Sequence, residues 1–439
     1  MNIRKNTRDL LILTIMSGSL LATWSWLLPF DGGPDEIHHY EVVRYIAYHL
    51  RWPVFGPHGD LYIRKAPGTR DGMVFGFYAL QSTYPYLIPA FILKSLSFLK
   101  LDYHTARIGS IIYGIISIIA LSSAVSTLFP RHLYLQRMIV ALPLLIPQSA
   151  YIFAYINQDS FGIMAINLLF CSLICLEYSG KENIKTWLRI GGSWALTAMS
   201  RQHVAIFGTL MVFVFFVFSR YRSNMKIWIK LIMTSTIPGF VIFCWALRNY
   251  MLYSDPFLQQ VARSAWNHWL ELVAPHLLHP SFASQGYSLA AFVFLTPWAS
   301  ETFKSFWAKF GYMNIEPPSY IYWVYAIFSA VFVLSFVFYI VKLKNVRLVP
   351  FVILSLALLC LHGYKNYVGD FQPQGRYLMI GQPLIFSIFG IGAAHLFLNF
   401  ENKSGRIAIF DVVFMLSVIH LLVFKSVISR IIGVNLIGE

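Results

Sequence analysis

Apolar residues in this chain come in long blocks, not in the short alternations of a soluble fold. The first runs from Leu10 to Pro29, about 20 residues, which is the length that crosses the hydrocarbon core of a bilayer. Further blocks at 107–129, 138–156, 160–178, 187–201, 203–219, 228–251, 319–341, 348–364, 377–399 and 407–430 bring the predicted spans to eleven. Directly after the first block stands Gly33-Pro34-Asp35-Glu36-Ile37-His38-His39-Tyr40, acid and imidazole at a membrane exit. Ile37, Tyr40, Val43, Ala47 and Leu50 then recur at three- and four-residue intervals, predicting a short amphipathic helix lying along the membrane surface. Tyr84 to Phe98 is also apolar, but Pro85 and Pro89 interrupt it, and it reads as an outer-face element that does not cross.

Charge position supports that parity. Half of the 34 lysines and arginines lie in six short segments: Arg4, Lys5, Arg8; Arg131, Arg137; Lys181, Lys185, Arg189; Arg220, Arg222, Lys226, Lys230; Lys342, Lys344, Arg347; and Lys403, Arg406. Basic residues near span ends are retained in the cytoplasm. A non-crossing 84–98 segment puts all six on that side, with the amino terminus inside and the carboxyl terminus outside. The net charge of +15, which in a soluble protein would suggest nucleic acid, is here a topology signal.

Composition agrees: 57% of the 439 residues are hydrophobic and only 12% charged, so the expected class is an all-α polytopic membrane protein with outer-face juxtamembrane helices. Three regions follow from the spacing: 1–251, a transmembrane module with a first outer loop at 30–106; 252–318, an outer-face loop with amphipathic helices; and 319–439, the carboxy-terminal spans. Trp24-Ser25-Trp26 continues to Pro29 without a small-residue cleavage site, so the first span is expected to stay uncleaved. Cys171, Cys175, Cys244 and Cys360 all fall within spans, which leaves no loop disulfide framework and no metal-ligand spacing. Trp266, Trp269, Trp298 and Trp307 read as an interfacial belt.

In this topology four polar segments converge on the outer face: Asp35-Glu36, Asn157-Gln158-Asp159, Arg201-Gln202-His203, and Lys365 through Arg376. An ionisable group in or near hydrocarbon costs about 2.5 to 3.5 kcal/mol on insertion scales, so such a cluster is selected against unless it is used. Each member also has a plainer reading. Asp35 after Pro34 could cap the following helix, and Asp159 could cap the fourth span. Arg201 and His203 could be interfacial anchors, Arg376 could snorkel, and His38 and His39 read as helix-surface residues in preference to metal ligands.

Transfer of a sugar from a polyprenyl phosphate needs an apolar groove, cations for phosphate, and a carboxylate to take a hydroxyl proton. Asp35 or Glu36 can be that base. Arg201 and Arg376 suit phosphate because the guanidinium makes paired, charge-assisted hydrogen bonds, with His203 and Lys365 beside them. His38, His39, Tyr84 and Gln374 are the candidates for acceptor or sugar contact. No phosphate loop or dinucleotide fingerprint is present.

At these residues the chain resembles the glycosyltransferase-C superfamily of integral membrane enzymes, and within it an uncharacterised bacterial group. The resemblance rests on Pro34-Asp35-Glu36-Ile37-His38-His39 with Tyr45-Ile46-Ala47, on Ala106-Arg107-Ile108, and on Pro147 through Asp159. It continues in Ala198-Met199-Ser200-Arg201-Gln202, in Ser305-Phe306-Trp307 through Phe310-Gly311-Tyr312, and in Gln374-Gly375-Arg376-Tyr377-Leu378. It implies a catalytic acid at Asp35 with Glu36 as neighbour, a second-loop acid at Asp159, and an undecaprenyl-type phosphate donor used on the periplasmic face of a bacterial inner membrane. The implied acceptor is a cell-envelope glycan such as O-antigen or lipopolysaccharide, and the implied partners are membrane lipids, a donor-sugar synthase and a small flippase. The chain lacks an Asp-x-Asp pair at the second position and a large soluble carboxy-terminal domain, so no cofactor is expected and a divalent metal is not favoured. Ser200-Arg201 stands where the narrower group has lysine. The competing readings are a transporter or flippase of lipid-linked glycan, and a polymerase or ligase using a diphosphate-linked donor.

Overall fold

The computed structural model describes residues 3–65, 73–180, 182–273, 280–343, 346–396 and 403–437. The first apolar block forms α1 (Ile3–Leu27), and the turn after it opens α2 (Glu36–His49). A small antiparallel hairpin follows, β1 (Ile63–Lys65) against β2 (Met73–Phe75), with Ile63 opposite Phe75. The 84–98 segment becomes a 3₁₀ turn and α3 (Leu87–Ser95), nine residues that rise only about 14 Å, well short of a bilayer core. Next come α4 (Asp102–Leu128), α5 (Leu133–Leu145), α6 (Pro147–Ile152), α7 (Asp159–Ser179), α8 (Ile184–Ala198), α9 (Gln202–Phe218) and α10 (Met225–Tyr253). The second large loop holds α11 (Gln259–Val273), α12 (Leu289–Leu295) and α13 (Trp298–Ala308), and the chain ends in α14 (Ser319–Leu343), α15 (Val349–Val368), α16 (Gln382–Leu396) and α17 (Lys403–Ile437).

The protein is a multi-pass helical membrane protein. Among the described residues seven stretches are long and apolar enough to cross a membrane, and three shorter apolar helices, Leu11–Leu27, Leu133–Leu145 and Gln202–Phe218, accompany them. The eleven expected spans are therefore not all full-length helices. The 138–156 block is split between α5 and α6 because Ile146, which precedes Pro147, is extended at φ −88°, ψ 112°, as the residue before a proline prefers. The 187–201 block is α8, 15 residues that rise about 22 Å. The 377–399 block opens as a 3₁₀ segment over Gly375–Gly381, and its residues 397–399 lie outside the described set.

α7 is the central post: it packs along α4 and α8, and 83% of its span is buried in protein, against 22% for α10 and α14, which face outward. Its far end gathers three of the basic segments. Glu177 accepts from the backbone amide of Arg220 and lies 3.9 Å from Arg347, while Lys230 approaches Glu182 at 4.0 Å. Lys181 and Lys344 lie outside the described residues.

Two expectations are corrected by packing. The first concerns the face that α2 buries: Leu50, expected in its apolar stripe, is exposed, and the buried face carries Glu36, His38, His39 and Glu41 with Val42, Val43, Ile46 and Ala47 against α3. The tryptophans are not chiefly a belt. Trp307 stacks between Tyr325 and Phe389 in the core, Trp269 lies flat on Phe75, and Trp298 packs on Phe292 and His362.

Candidate functional site

Asp35 and Glu36 are adjacent in sequence and have opposite surroundings. Glu36 is fully buried and is held by both arms of Arg107, Nε to Oε1 and Nη2 to Oε2, each at 2.6 Å. The amides of Asp31 and Ile156 also donate to it. Arg107 spends its remaining protons on the carbonyls of Ser25, Leu28 and Pro29, the end of α1 where helix carbonyls have no partner of their own. Glu36 is thus fully committed to structure. As a catalytic candidate it is placed aside by this pairing, since freeing it would strand a buried guanidinium.

Asp35 is half-buried and does not cap α2; its side chain makes no capping hydrogen bond. Its backbone sits in the left-handed region at φ 63°, uncommon for a residue with a side chain, and its amide donates to the Tyr312 hydroxyl at 3.1 Å. That conformation turns the carboxylate away from the helix start. Oδ2 accepts from the Tyr78 hydroxyl at 2.9 Å, and Oδ1 makes no hydrogen bond among the described residues. Burial, and then the neighbouring Asp35 carboxylate, push the Tyr78 hydroxyl well above its ordinary value, so it stays protonated and donates. The Gly33 position lets this turn close on the site, because a Cβ there would fall 2.2 Å from the Tyr155 ring.

The second acid, Asp159, does not cap α7; Asn157 does that, its Oδ1 accepting from the Ser160 amide. Asp159 faces Arg201 at 3.0 Å and Arg376 at 3.8 Å. Neither arginine reaches bulk water as an anchor or snorkelling residue would: their side chains are 12% and 6% exposed. Gln158 accepts from Arg201 Nε at 2.8 Å, and the Tyr155 hydroxyl accepts from Arg376 Nη1 at 2.9 Å. Gly375 allows the approach of Arg376, since a Cβ there would meet the Thr302 carbonyl at 2.2 Å. The Tyr377 ring gathers the cations, with Lys365 Nζ at 5.0 Å and the Arg376 guanidinium at 5.3 Å from its centre, and His203 edge-on at 5.8 Å. Arg201 lies over Tyr78 at 5.7 Å, which links the arginine pair to Asp35.

Asp159 Oδ2 and Arg376 Nε, which face each other at 3.8 Å, His203 Nε2 and Gln374 Oε1 are buried and make no hydrogen bond among the described residues. Buried polar atoms are normally satisfied, so unbonded ones set this cluster apart from the packed core around it. Among the described residues no group of three His, Cys, Asp or Glu converges as a metal-ligand set.

The remaining predicted residues separate. His39 is buried, not a helix-surface residue; its ring lies 3.8 Å from that of Tyr78 and its Nδ1 shares a 2.6 Å hydrogen bond with Tyr86. Burial, then Arg201 and Arg376, hold its pKa well below the usual imidazole range, so it is neutral and braces Tyr78. His38, also buried, accepts from the Phe75 amide and packs on Trp269. Tyr84 belongs to a different cluster with Trp52 and Trp245. Gln374 adjoins Arg376, with its Oε1 buried and unbonded. Sequence reading did not single out Tyr78, Tyr155 or the Glu36–Arg107 pair as site elements.

No family model matches the chain, and no curated protein matches it. Solved structures do. An oligosaccharyltransferase of Archaeoglobus fulgidus tethered with an acceptor peptide aligns with TM-score 0.57 at 12% identity, over 95% of this chain and 55% of that one. In complex with an inhibitory peptide and dolichol-phosphate it aligns at 0.55 and 12%, over 97% and 56%. ArnT from Cupriavidus metallidurans bound to undecaprenyl phosphate aligns at 0.50 and 11%, over 96% and 73%. The chain spans about half the length of the oligosaccharyltransferase. It shares the fold of these glycosyltransferase-C membrane enzymes.

Proposed function

We propose that this protein is a membrane glycosyltransferase that takes a sugar from a polyprenyl-phosphate donor and passes it to a cell-envelope glycan, with Asp35 as general base. The observation that carries the reading is one carboxylate oxygen, Asp35 Oδ1, that has no hydrogen-bond partner among the described residues and stands near the cluster of Arg201 and Arg376. The fold shared with an enzyme bound to undecaprenyl phosphate supports the lipid-linked donor.

The chemistry divides among the residues as follows. Arg376, Arg201 and Lys365 hold the donor phosphate, with Asp159 keeping the two guanidinium groups in place. Tyr78 donates to Asp35 Oδ2 and so aims Oδ1 at the acceptor hydroxyl. As that oxygen attacks the anomeric carbon, its proton goes to Oδ1, the bond from carbon to phosphate oxygen breaks, and the leaving phosphate's charge falls on the arginines. A single displacement inverts the anomeric centre. The site lies at the opposite end of α7 from Glu177 and its basic neighbours, and the 18-residue step from Asp159 to Glu177 spans about 27 Å at 1.5 Å rise, close to one hydrocarbon core. Basic loops belong in the cytoplasm, so transfer takes place on the periplasmic side.

The test is transfer from radiolabelled polyprenyl-phosphate sugar to an envelope-glycan acceptor by purified protein. Wild type should transfer, while Asp35→Asn should stay folded, bind donor and be inactive. Near-normal transfer by Asp35→Asn would remove the base assignment. Movement of lipid-linked sugar across vesicles by wild type, with no transfer, would replace the enzyme by a transporter.

A further inference from the structure

α2 has two working faces. One carries His39 against Tyr78 and the acid site, and the other, through Tyr40, Arg44, Tyr45 and Tyr48, forms a wall of an open cleft of about 810 Å³. The stretch from Gly56 to Arg64, with Val74, Gly76 and Asp102, completes the lining. None of the catalytic candidates lines this cleft.

Its chemistry is selective. The charges of the walls are largely spent on one another: Glu41 pairs with Arg64 at 2.8 Å and lies 3.9 Å from Arg44, and Asp60 is held by Arg51 at 2.7 Å and by the Val54 amide. A polyanion would find no surplus of positive charge, and a lipid tail would find a polar lining. Left over are the hydroxyls of Tyr40, Tyr48 and Tyr62 and the carboxylate of Asp102, none of which makes a hydrogen bond to the described residues. Burial and the facing Asp102 push the Tyr40 hydroxyl up to about 12, so it remains a donor. Aromatic faces with unspent hydroxyls and one acceptor carboxylate suit an uncharged, polyhydroxylated ring, whose C–H face packs on tyrosine while its rim hydrogen-bonds.

We infer that this cleft is a saccharide-binding site that holds acceptor sugar units remote from the one that reacts. Its role as an acceptor subsite rests on the transferase reading above, while saccharide binding itself does not. Tyr48 lies 12 residues along α2 from Glu36, about 18 Å at helical rise, a distance that several linked sugar units can span. Remote contacts of this kind raise acceptor affinity without entering the chemical step.

The probe is a printed array of defined bacterial oligosaccharides, read with full-length protein in detergent, as wild type, Asp35→Asn and Tyr48→Ala. Tyr48 is 60% exposed, so its removal does not threaten folding. Wild type and Asp35→Asn should retain the same glycans, and Tyr48→Ala should bind them about tenfold more weakly, the loss of one stacking face. In the transfer assay Tyr48→Ala should raise KM for a long acceptor by a similar factor, with kcat kept and a single-sugar acceptor unaffected. No glycan retained by wild type, or retention unchanged in Tyr48→Ala, would overturn the site. Glycan retention that depends on Tyr48 in a protein that transfers nothing would support the cleft and sink the transferase reading, so the two fail separately.

Discussion

At its start α7 holds Asp159 between Arg201 and Arg376, and at its end it holds Glu177 between Arg220 and Arg347. By composition the two ends are the same device. At the far end Arg347 is 55% exposed, and Glu177 is satisfied by a backbone amide. Water screens such a pair, and its worth is typically below about 1 kcal/mol. At the near end Arg376 is buried and Arg201 only 12% exposed, one guanidinium nitrogen and one carboxylate oxygen make no hydrogen bond among the described residues, and a second acid stands by with an open oxygen. Desolvated charge that is only partly satisfied is costly to maintain. The comparison teaches that burial and unspent hydrogen bonds, not the kinds of residue present, separate the proposed site from an exposed ion pair.

The largest effect that could break this contrast is at Asp35. Asp35→Asn should lower kcat on the order of 100- to 10,000-fold, as loss of a positioned base does, with thermal stability near wild type. Next is the buried pair beside it. Arg107→Ala leaves Glu36 charged without its partner and three carbonyls uncovered, and should cost about 3–5 kcal/mol of stability, seen as lost monodisperse protein on gel filtration; a stable Arg107→Ala variant would contradict the structural role given to Glu36.

Arg201→Ala and Arg376→Ala should each weaken donor-lipid binding by about 1.5 to 3 kcal/mol, the range for hydrogen bonds to charged groups, measured by titration with a fluorescent polyprenyl phosphate. The lysine variants should recover only part of it, because lysine cannot make the paired contact. Unchanged affinity in both alanine variants would erase the difference between the two ends of α7.

A smaller, pH-dependent effect belongs to His39. Its folded pKa lies below the unfolded value of about 6.5, so the unfolded chain binds more protons in the interval between them. Stability that is full above about pH 6.5 should fall as the pH drops through that interval, and His39→Gln should flatten this slope in melting curves recorded from pH 7.5 to 5. The smallest change is expected at the far end: Arg347→Ala should alter stability by less than about 1 kcal/mol and leave donor binding untouched. A label at Arg131 should report the cytoplasmic side.

Much of the bundle was legible because lipid imposes length and apolarity on each span. The block at 160–178 is α7 almost residue for residue, and 319–341 lies within α14. Pro147 carried the signal that 138–156 would break, but hydropathy averages over a proline and hides it. Asp35, Asp159, Arg201 and Arg376 stood out because the predicted topology gathers them on the face opposite the six basic segments. Tyr78, Tyr155 and Tyr377 did not, since they are three among 25 tyrosines and nothing periodic distinguishes them. The pairing of Glu36 with Arg107 bridges 71 residues and exists only after packing, so Asp35 and Glu36 looked equivalent until their partners were known. His38 and His39 were read as surface residues of α2 for the same reason: they are buried because distant segments satisfy them.

Arg107 also sets a timetable for making the protein. The carbonyls of Ser25, Leu28 and Pro29 that it covers precede it by 82, 79 and 78 residues. At a synthesis rate of about 5–20 residues per second, the ribosome delivers Arg107 roughly 4 to 16 s after α1. For that interval the outer end of α1 must be hydrated or held by the insertion machinery. The first loop therefore cannot take its final form as it emerges, and settles only once the helix bearing Arg107 has entered the bilayer beside it.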